Sequence, residues 1–352
     1  MQQQQHARTS SVDDPIFEVR NTSVSFDMER GESKVLNEVS LDIERGEVLG
    51  VVGESGSGKS MFASALLDAV VDPGILTGDI TYHPESGESI DLLELSDEEI
   101  KQVRWEEIAM VFQGAMSSFN PTMTIGDHFR ETLSVHDYDV EEGMARAEEL
   151  LSDLYLEADQ VLDSYPHELS GGMSQRALIA LSLVLEPEVL VMDEPTAALD
   201  LLMQRSIIQL IREIAEQRDL TIVFITHDLP LVANLADRIA VLYAFEFVEV
   251  GDAYEVLKAA KHPYTRALLN STPNLDTPRE QMKPIEGAAP DPVSVPEGCS
   301  YHPRCPLSDA VCERDDPPLD SDADDGHVAA CHYVEDVPDA VPLTLQEVKI
   351  NE

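Results

Sequence analysis

Eight consecutive residues, Gly53, Glu54, Ser55, Gly56, Ser57, Gly58, Lys59 and Ser60, meet every fixed position of the pattern G-x-x-x-x-G-K-[S/T]. Glycines at these places let backbone N–H groups turn inward around phosphate oxygens, and a following helix adds the positive end of its dipole. Lys59 is placed to reach a β- or γ-phosphate, and the Ser60 hydroxyl to hold Mg²⁺. A second cluster of chemistry lies far along the chain. The apolar run at 189–192 ends in Asp193 and Glu194. Two carboxylates at the C-terminal end of a buried strand stand where open α/β sheets bind ligands. Asp193 is expected to hold Mg²⁺ through water, and Glu194 to polarise an attacking water as general base. His227 follows the apolar stretch 222–225 and is expected at the same sheet edge.

These residues need elements to hold them. The run 48–52 before the glycines reads as a buried strand, and 61–67 after them as a helix start. Upstream, 16–19, 24–26 and 35–43 read as short strands with turns at Gly31 and at 45–47, and 78–82 and 90–93 as edge strands. From about 114 to 168 the apolar period becomes helical, with Met144, Ala147, Leu150, Leu151 and Leu154 on one face. Leu169-Ser170-Gly171-Gly172-Met173 opens another apolar helix, with Ser170 as its cap. A strand at 189–192, a helix at 204–217 and a strand at 222–225 follow. Strands alternating with helices predict an α/β fold with a covered parallel sheet.

Composition sets the outer limits. The 352-residue chain is 43% hydrophobic, enough for a large core, yet carries a formal charge of −45. Seven lysines and sixteen arginines face 68 carboxylates spread along the whole length. That balance matches a surface suited to molar salt, where a Debye length of about 3 Å screens self-repulsion; an ordinary protein with acidic loops is the alternative. No basic stripe is present to bind a nucleic-acid backbone. Residues 1–14 are polar and read as a disordered N-terminus without a signal peptide. No segment approaches eighteen consecutive apolar residues. All four cysteines, Cys299, Cys305, Cys312 and Cys331, lie in the last part of the chain, which is rich in proline and acid.

Taken in order, the phosphate loop, Gln113 after a strand, Leu169-Ser170-Gly171-Gly172, Asp193-Glu194-Pro195-Thr196, Ala198-Leu199-Asp200 and Thr226-His227-Asp228 resemble an ATP-binding cassette (ABC) ATPase over roughly residues 16–255. The resemblance implies a P-loop NTPase fold at 15–255: a RecA-like parallel core, an antiparallel β subdomain and a helical subdomain at about 114–180. It implies ATP and Mg²⁺ as ligands, with Gln113 contacting the γ-phosphate and Mg²⁺. His227 would hold the attacking water with Glu194, and Asp200 would link the two halves of a dimer. Phe26 would stack on adenine. Ser170, Gly171, Gly172 and the flanking Leu169 and Met173 would face the nucleotide of a second cassette.

The tail at 256–352 narrows the likeness. His262-Pro263-Tyr264-Thr265-Arg266-Ala267-Leu268-Leu269, Pro273, Gly298-Cys299, Pro303-Arg304-Cys305-Pro306, Cys312 and Cys331-His332 resemble the C-terminal part of ATP-binding subunits of oligopeptide, dipeptide or nickel importers, as does Met173. The resemblance implies partners: a second, related but different ATPase subunit, two permeases and an extracellular solute-binding protein. It places the chain at the cytoplasmic membrane face, attached through the permeases. It also points to a four-iron four-sulfur cluster on the cysteines. Zinc, held by four cysteines or by three with His302 or His332, and uncoordinated thiols are the alternatives. A soluble ABC ATPase without a permease, and import of nickel or oligosaccharide, are the rival functions. The sequence departs from the pattern at Gly114-Ala115-Met116, at Leu201-Leu202-Met203 and at Phe245, where glycine is usual.

Overall fold

The computed structural model describes residues 15–112, 114, 118–197, 199–271, 285–319 and 326–343. Expectations for residues 1–14, Gln113, Ala115, Met116, Ala198 and Pro273 lie outside these. Eleven strands are described: β1 (Pro15–Met28), β2 (Gly31–Glu44), β3 (Val48–Val52), β4 (Ile75–Tyr82), β5 (Ile90–Asp91), β6 (Ile108–Val111), β7 (Val189–Asp193), β8 (Thr221–Thr226), β9 (Arg238–Tyr243), β10 (Glu246–Asp252) and β11 (Val328–Ala329). They form two sheets. One is antiparallel, in the order β2-β1-β4-β5; the other has seven strands, β11-β10-β9-β3-β8-β7-β6. Within the second, β9, β3, β8, β7 and β6 are mutually parallel, and β10 and β11 extend it as antiparallel strands.

Side-chain alternation explains why the parallel strands are apolar throughout. Val48 and Val52 of β3, Leu190 and Met192 of β7, and Ile222 and Phe224 of β8 enter one core. Leu49 and Val51, Val189 and Val191, and Val223 and Ile225 enter the core on the opposite face. A strand covered on both sides has no polar face to show. The second core joins the antiparallel sheet. The first takes in the helices Ile125–Val135, Val140–Asp153, Ala158–Asp163 and Gly171–Leu183. Thr124 and Asp127 cap the first of these reciprocally, and Asp139 caps the second. Of the face read from sequence, Ala147, Leu150, Leu151 and Leu154 are buried and Met144 packs at its edge.

Two sequence readings are corrected. The stretches 16–19 and 24–26 are one strand, because Asn21 takes a left-handed φ of 46° at a register shift and continues the ladder as a bulge. The tail is also less irregular than its composition implies. It contains the helices Ala253–Ala259 and Pro263–Ser271, and β11 completes the edge of the large sheet. Two residues are too few to show a period.

That edge is fastened by buried polar groups. Glu249 on β10 is fully buried and accepts N–H bonds from Lys261 at 2.5 Å and His262 at 3.0 Å. It also pairs with His327 Nε2 at 2.8 Å, next to β11. His262 is 1% exposed, and its Nδ1 accepts the Tyr264 N–H. Burial pushes the His262 ring down to about 4, against the pull of Glu249. The neutral ring is favoured in the folded state, so its stabilisation is complete above pH 6.5 and is lost as pH falls towards 4. At 1.36 kcal/mol per unit the full loss amounts to about 3 kcal/mol. The melting temperature is therefore expected to fall between pH 7 and pH 5 more steeply in the parent than in His262→Gln. Equal slopes in the two proteins would remove His262 as the cause.

Candidate functional site: a nucleotide pocket at the end of the parallel sheet

The strand order β3-β8-β7 sets the site. The loop 53–60 leaves β3, His227 follows β8, and Asp193 and Glu194 end β7, so three separate stretches meet at one C-terminal sheet edge. Gly58 caps the helix Lys59–Ala65 with φ 109°, and a Cβ there would lie 2.5 Å from the Val35 carbonyl oxygen. Only glycine fits this turn.

Lys59 is 5% exposed, and its Nζ donates to the carbonyls of Gly53 (2.9 Å) and Glu54 (2.8 Å). Burial lowers its pKa, while the nearby carboxylates of Glu194, Asp193 and Glu54 push it back up. The ammonium is thus held by its loop carbonyls in the field of three acids and can exchange those carbonyls for phosphate oxygens. Asp193 is 6% exposed; burial raises its pKa, and a hydrogen bond from Ser60 opposes the rise. Its Oδ1 is buried without a hydrogen-bond partner. An orphaned carboxylate oxygen beside a serine hydroxyl is a donor set that suits a hard, oxygen-seeking cation such as Mg²⁺.

Glu194 has a left-handed backbone (φ 45°), fixed by its N–H to the Ile225 carbonyl at 2.9 Å. Strain of this kind, held by a neighbouring strand, aims a side chain that a regular strand would not. Glu194 Oε1 lies 2.9 Å from His227 Nδ1. With the carboxylate ionised, His227 donates through Nδ1 and keeps Nε2 for a further partner. Phe26 borders a groove of about 640 Å³ lined also by Met28, Arg30 and Pro73. Its ring lies so close over Gly74 that a Cβ there would come within 2.9 Å.

A model of the ABC transporter family matches residues 36–197, and one of the oligopeptide/dipeptide transporter C-terminal region matches residues 248–312. The dipeptide transport ATP-binding protein DppD of Caldanaerobacter subterraneus subsp. tengcongensis is 40% identical, over 91% of this chain and 98% of its own. DppD of Escherichia coli is 37% identical over 90% and 96%. The chain belongs to the ABC transporter family. The oligopeptide transport ATP-binding protein OppD of Salmonella typhimurium is 36% identical, over 90% of this chain and 93% of its own. Among solved structures, the cassette MJ0796 in a dimeric post-hydrolysis state with ADP and phosphate aligns with a TM-score of 0.59 and 28% identity, over 67% of this chain and 98% of its own.

The signature and D-loop residues take local structural roles within this chain. Ser170 caps the helix Gly171–Leu183 through the Met173 N–H (3.3 Å), as its sequence position predicts. Leu169 and Gly172 are buried, and the end of the Met203 side chain lies over Gly172, its Cε 2.0 Å from where a Cβ would stand. Asp200 caps the helix Leu201–Arg218, accepting from Leu202 and Met203 at 3.0 Å each. Phe245 sits in a tight β9–β10 turn with Ala244, at φ 75° and 48°, the region where glycine is usual. Phe245 donates its N–H to the Ser57 carbonyl at 3.1 Å and is 3% exposed. This buttress of the phosphate loop had no periodic signal in the sequence.

The cysteines sit in one neighbourhood. Burial raises Cys299, Cys305 and Cys331 to about 11, and each lies in the field of two other thiols of the four. The Cys299 N–H donates to the Cys312 carbonyl at 2.9 Å. Among the described residues, no three His, Cys, Asp or Glu side chains close around a single ion. The sequence reading also missed Arg304 and Tyr264, which reach the phosphate loop from the tail. Both stood in motifs noted only for family likeness.

Replacing Glu194 by Gln keeps the shape and removes the base. Phosphate release by the assembled transporter is expected to fall roughly 10²–10⁴-fold, with nucleotide binding retained. Hydrolysis at the parent rate would remove Glu194 from the base role.

Proposed function

We propose that this chain is the ATP-hydrolysing subunit of an importer of dipeptides or oligopeptides. What carries the reading is one chain in which Lys59, Ser60, Asp193, Glu194 and His227 converge at a sheet edge and the tail matches the oligopeptide/dipeptide type. Loop backbone N–H groups and Lys59 bind the triphosphate. Ser60 and Asp193 would hold Mg²⁺, which would supply charge neutralisation on the triphosphate. Glu194 orients a water and takes its proton, and His227 holds the Glu194 carboxylate in place. Gln113 completes the set in this reading, and Phe26 stacks on the base.

Each pocket is half built by one chain. The cap at Ser170 and Gly171 offers a helix N-terminus to the γ-phosphate on a second cassette, a related chain of another sequence. Exposed Leu201 and Leu202, 73% and 78% accessible beside Asp200, support a partner at that face. Phe112 is 55% exposed at the end of β6 and supports a permease contact next to Gln113. Among the described residues no helix is long and apolar enough to cross a membrane. In this reading two permeases supply the channel and an external binding protein delivers the solute.

In this reading the four cysteines hold a four-iron four-sulfur cluster. All four thiols lie in the tail, three of them buried enough to be raised to about 11, and zinc on the same residues is the alternative.

Co-expression with the related second cassette and two permeases is expected to give a stable complex whose ATPase rises with peptide-loaded binding protein. Stimulation by nickel or oligosaccharide but not by peptide would overturn the solute class. Protein purified without oxygen is expected to carry about four irons per chain with visible absorption. An iron-free preparation, with or without zinc, overturns the cluster.

A further inference from the structure

Glu54 is an acid inside an anion-binding loop. Its carboxylate is close enough to Lys59 to act on that ammonium, the group placed to meet phosphate. An uncompensated negative charge there opposes an incoming triphosphate, in a chain already at −45. The compensation comes from 250 residues away. Arg304 donates to both Glu54 oxygens, through Nη1 at 2.7 Å and Nη2 at 3.1 Å. Its side chain is 5% exposed. It is fixed by Nε to the Glu286 carbonyl at 2.8 Å and by the rings of Tyr243 and Tyr301, 5.6 and 5.9 Å from its guanidinium carbon. The same stretch of loop is held at the backbone, where the Glu54 N–H donates to Tyr264 Oη at 2.8 Å. Arginine suits this place because a planar fork engages a carboxylate at two points and turns it to one side.

We propose that Arg304 is a positioning residue for nucleotide binding: it neutralises Glu54 and holds it turned to the tail, so that ATP affinity depends on the fold of the cysteine-bearing segment. Arg304 lies beside Cys305 and within the same turn as His302, so whatever orders the cysteines orders the Glu54 clamp. A pure tail anchor would use the same contacts but would not respond to the charge of Glu54, and the experiment separates the two.

Binding of MgATP to the purified full chain is measured in low salt and in 1 M salt for the parent, R304Q, E54Q and R304Q/E54Q. R304Q is expected to bind about tenfold more weakly in low salt, with the gap narrowing in high salt. E54Q, which leaves the Arg304 cation beside the loop, is expected to bind about threefold more tightly. The double variant is expected within about threefold of the parent, since the opposing charge is gone. R304Q within twofold of the parent, or a double variant as weak as R304Q, overturns the proposal. If R304Q does not fold, E54Q decides alone: tighter binding supports the proposal, and equal or weaker binding overturns it. The proposal rests on the phosphate site being the loop 53–60, which Lys59→Ala tests separately. Parent-like binding in K59A would fail that site. Loss in K59A with none in R304Q would fail only the clamp.

Discussion

A buried ammonium among three carboxylates governs the arrangement of this protein. Lys59 is almost fully enclosed, and its nearest partners are the carbonyls of its own loop. Burial alone works against its charge, and Glu194, Asp193 and Glu54 offset that cost. The offset requires β7, distant in sequence, to deliver Asp193 and Glu194 beside the loop that carries Glu54 and Lys59. The parallel order β3-β8-β7 does so, and a core on each face keeps those strands in register. In the proposed reaction the same ammonium serves the triphosphate, with Asp193 as metal ligand and Glu194 as base.

The loop that carries Lys59 is supported from outside. The β9–β10 turn meets it through Phe245, and the tail through Tyr264 and Arg304. Phe245 adopts a backbone conformation that favours glycine, a cost of roughly 1 kcal/mol or more, and burying its ring contributes about 2 kcal/mol or more in return. The tail is therefore built into the catalytic domain. Through β11 it adds to the same sheet, and through Glu249 and His327 it is fixed to that sheet by buried polar bonds.

The signature and D-loop region has a different character. Ser170 and Asp200 cap helices, yet their surroundings include leucines left exposed at the start of the helix Leu201–Arg218. A pocket with its phosphate loop on one chain and its signature helix end supplied by another would make ATP itself part of the interface. Binding would then favour closure and hydrolysis would release it, which would turn a chemical step into a mechanical one.

How much of this could be read from residues alone follows from the range of each interaction. The strand–loop–helix at 48–67, the helix capped by Ser170 and the apolar strands ending in Asp193 and before His227 were legible, because local patterning and backbone capping are written in adjacent residues. Asn21 misled, since a bulge and a turn look alike in a short polar break. The sequence by itself determined the chemistry available: a phosphate-binding loop, two acids, a histidine and four thiols. Only the tertiary structure decided that Glu194 bonds His227, that Asp193 Oδ1 is left without a partner, and that Arg304 grips Glu54. Those contacts join residues up to 250 positions apart. Their pairing depends on strand order and on which buried charges must neutralise one another, and neither leaves a local pattern.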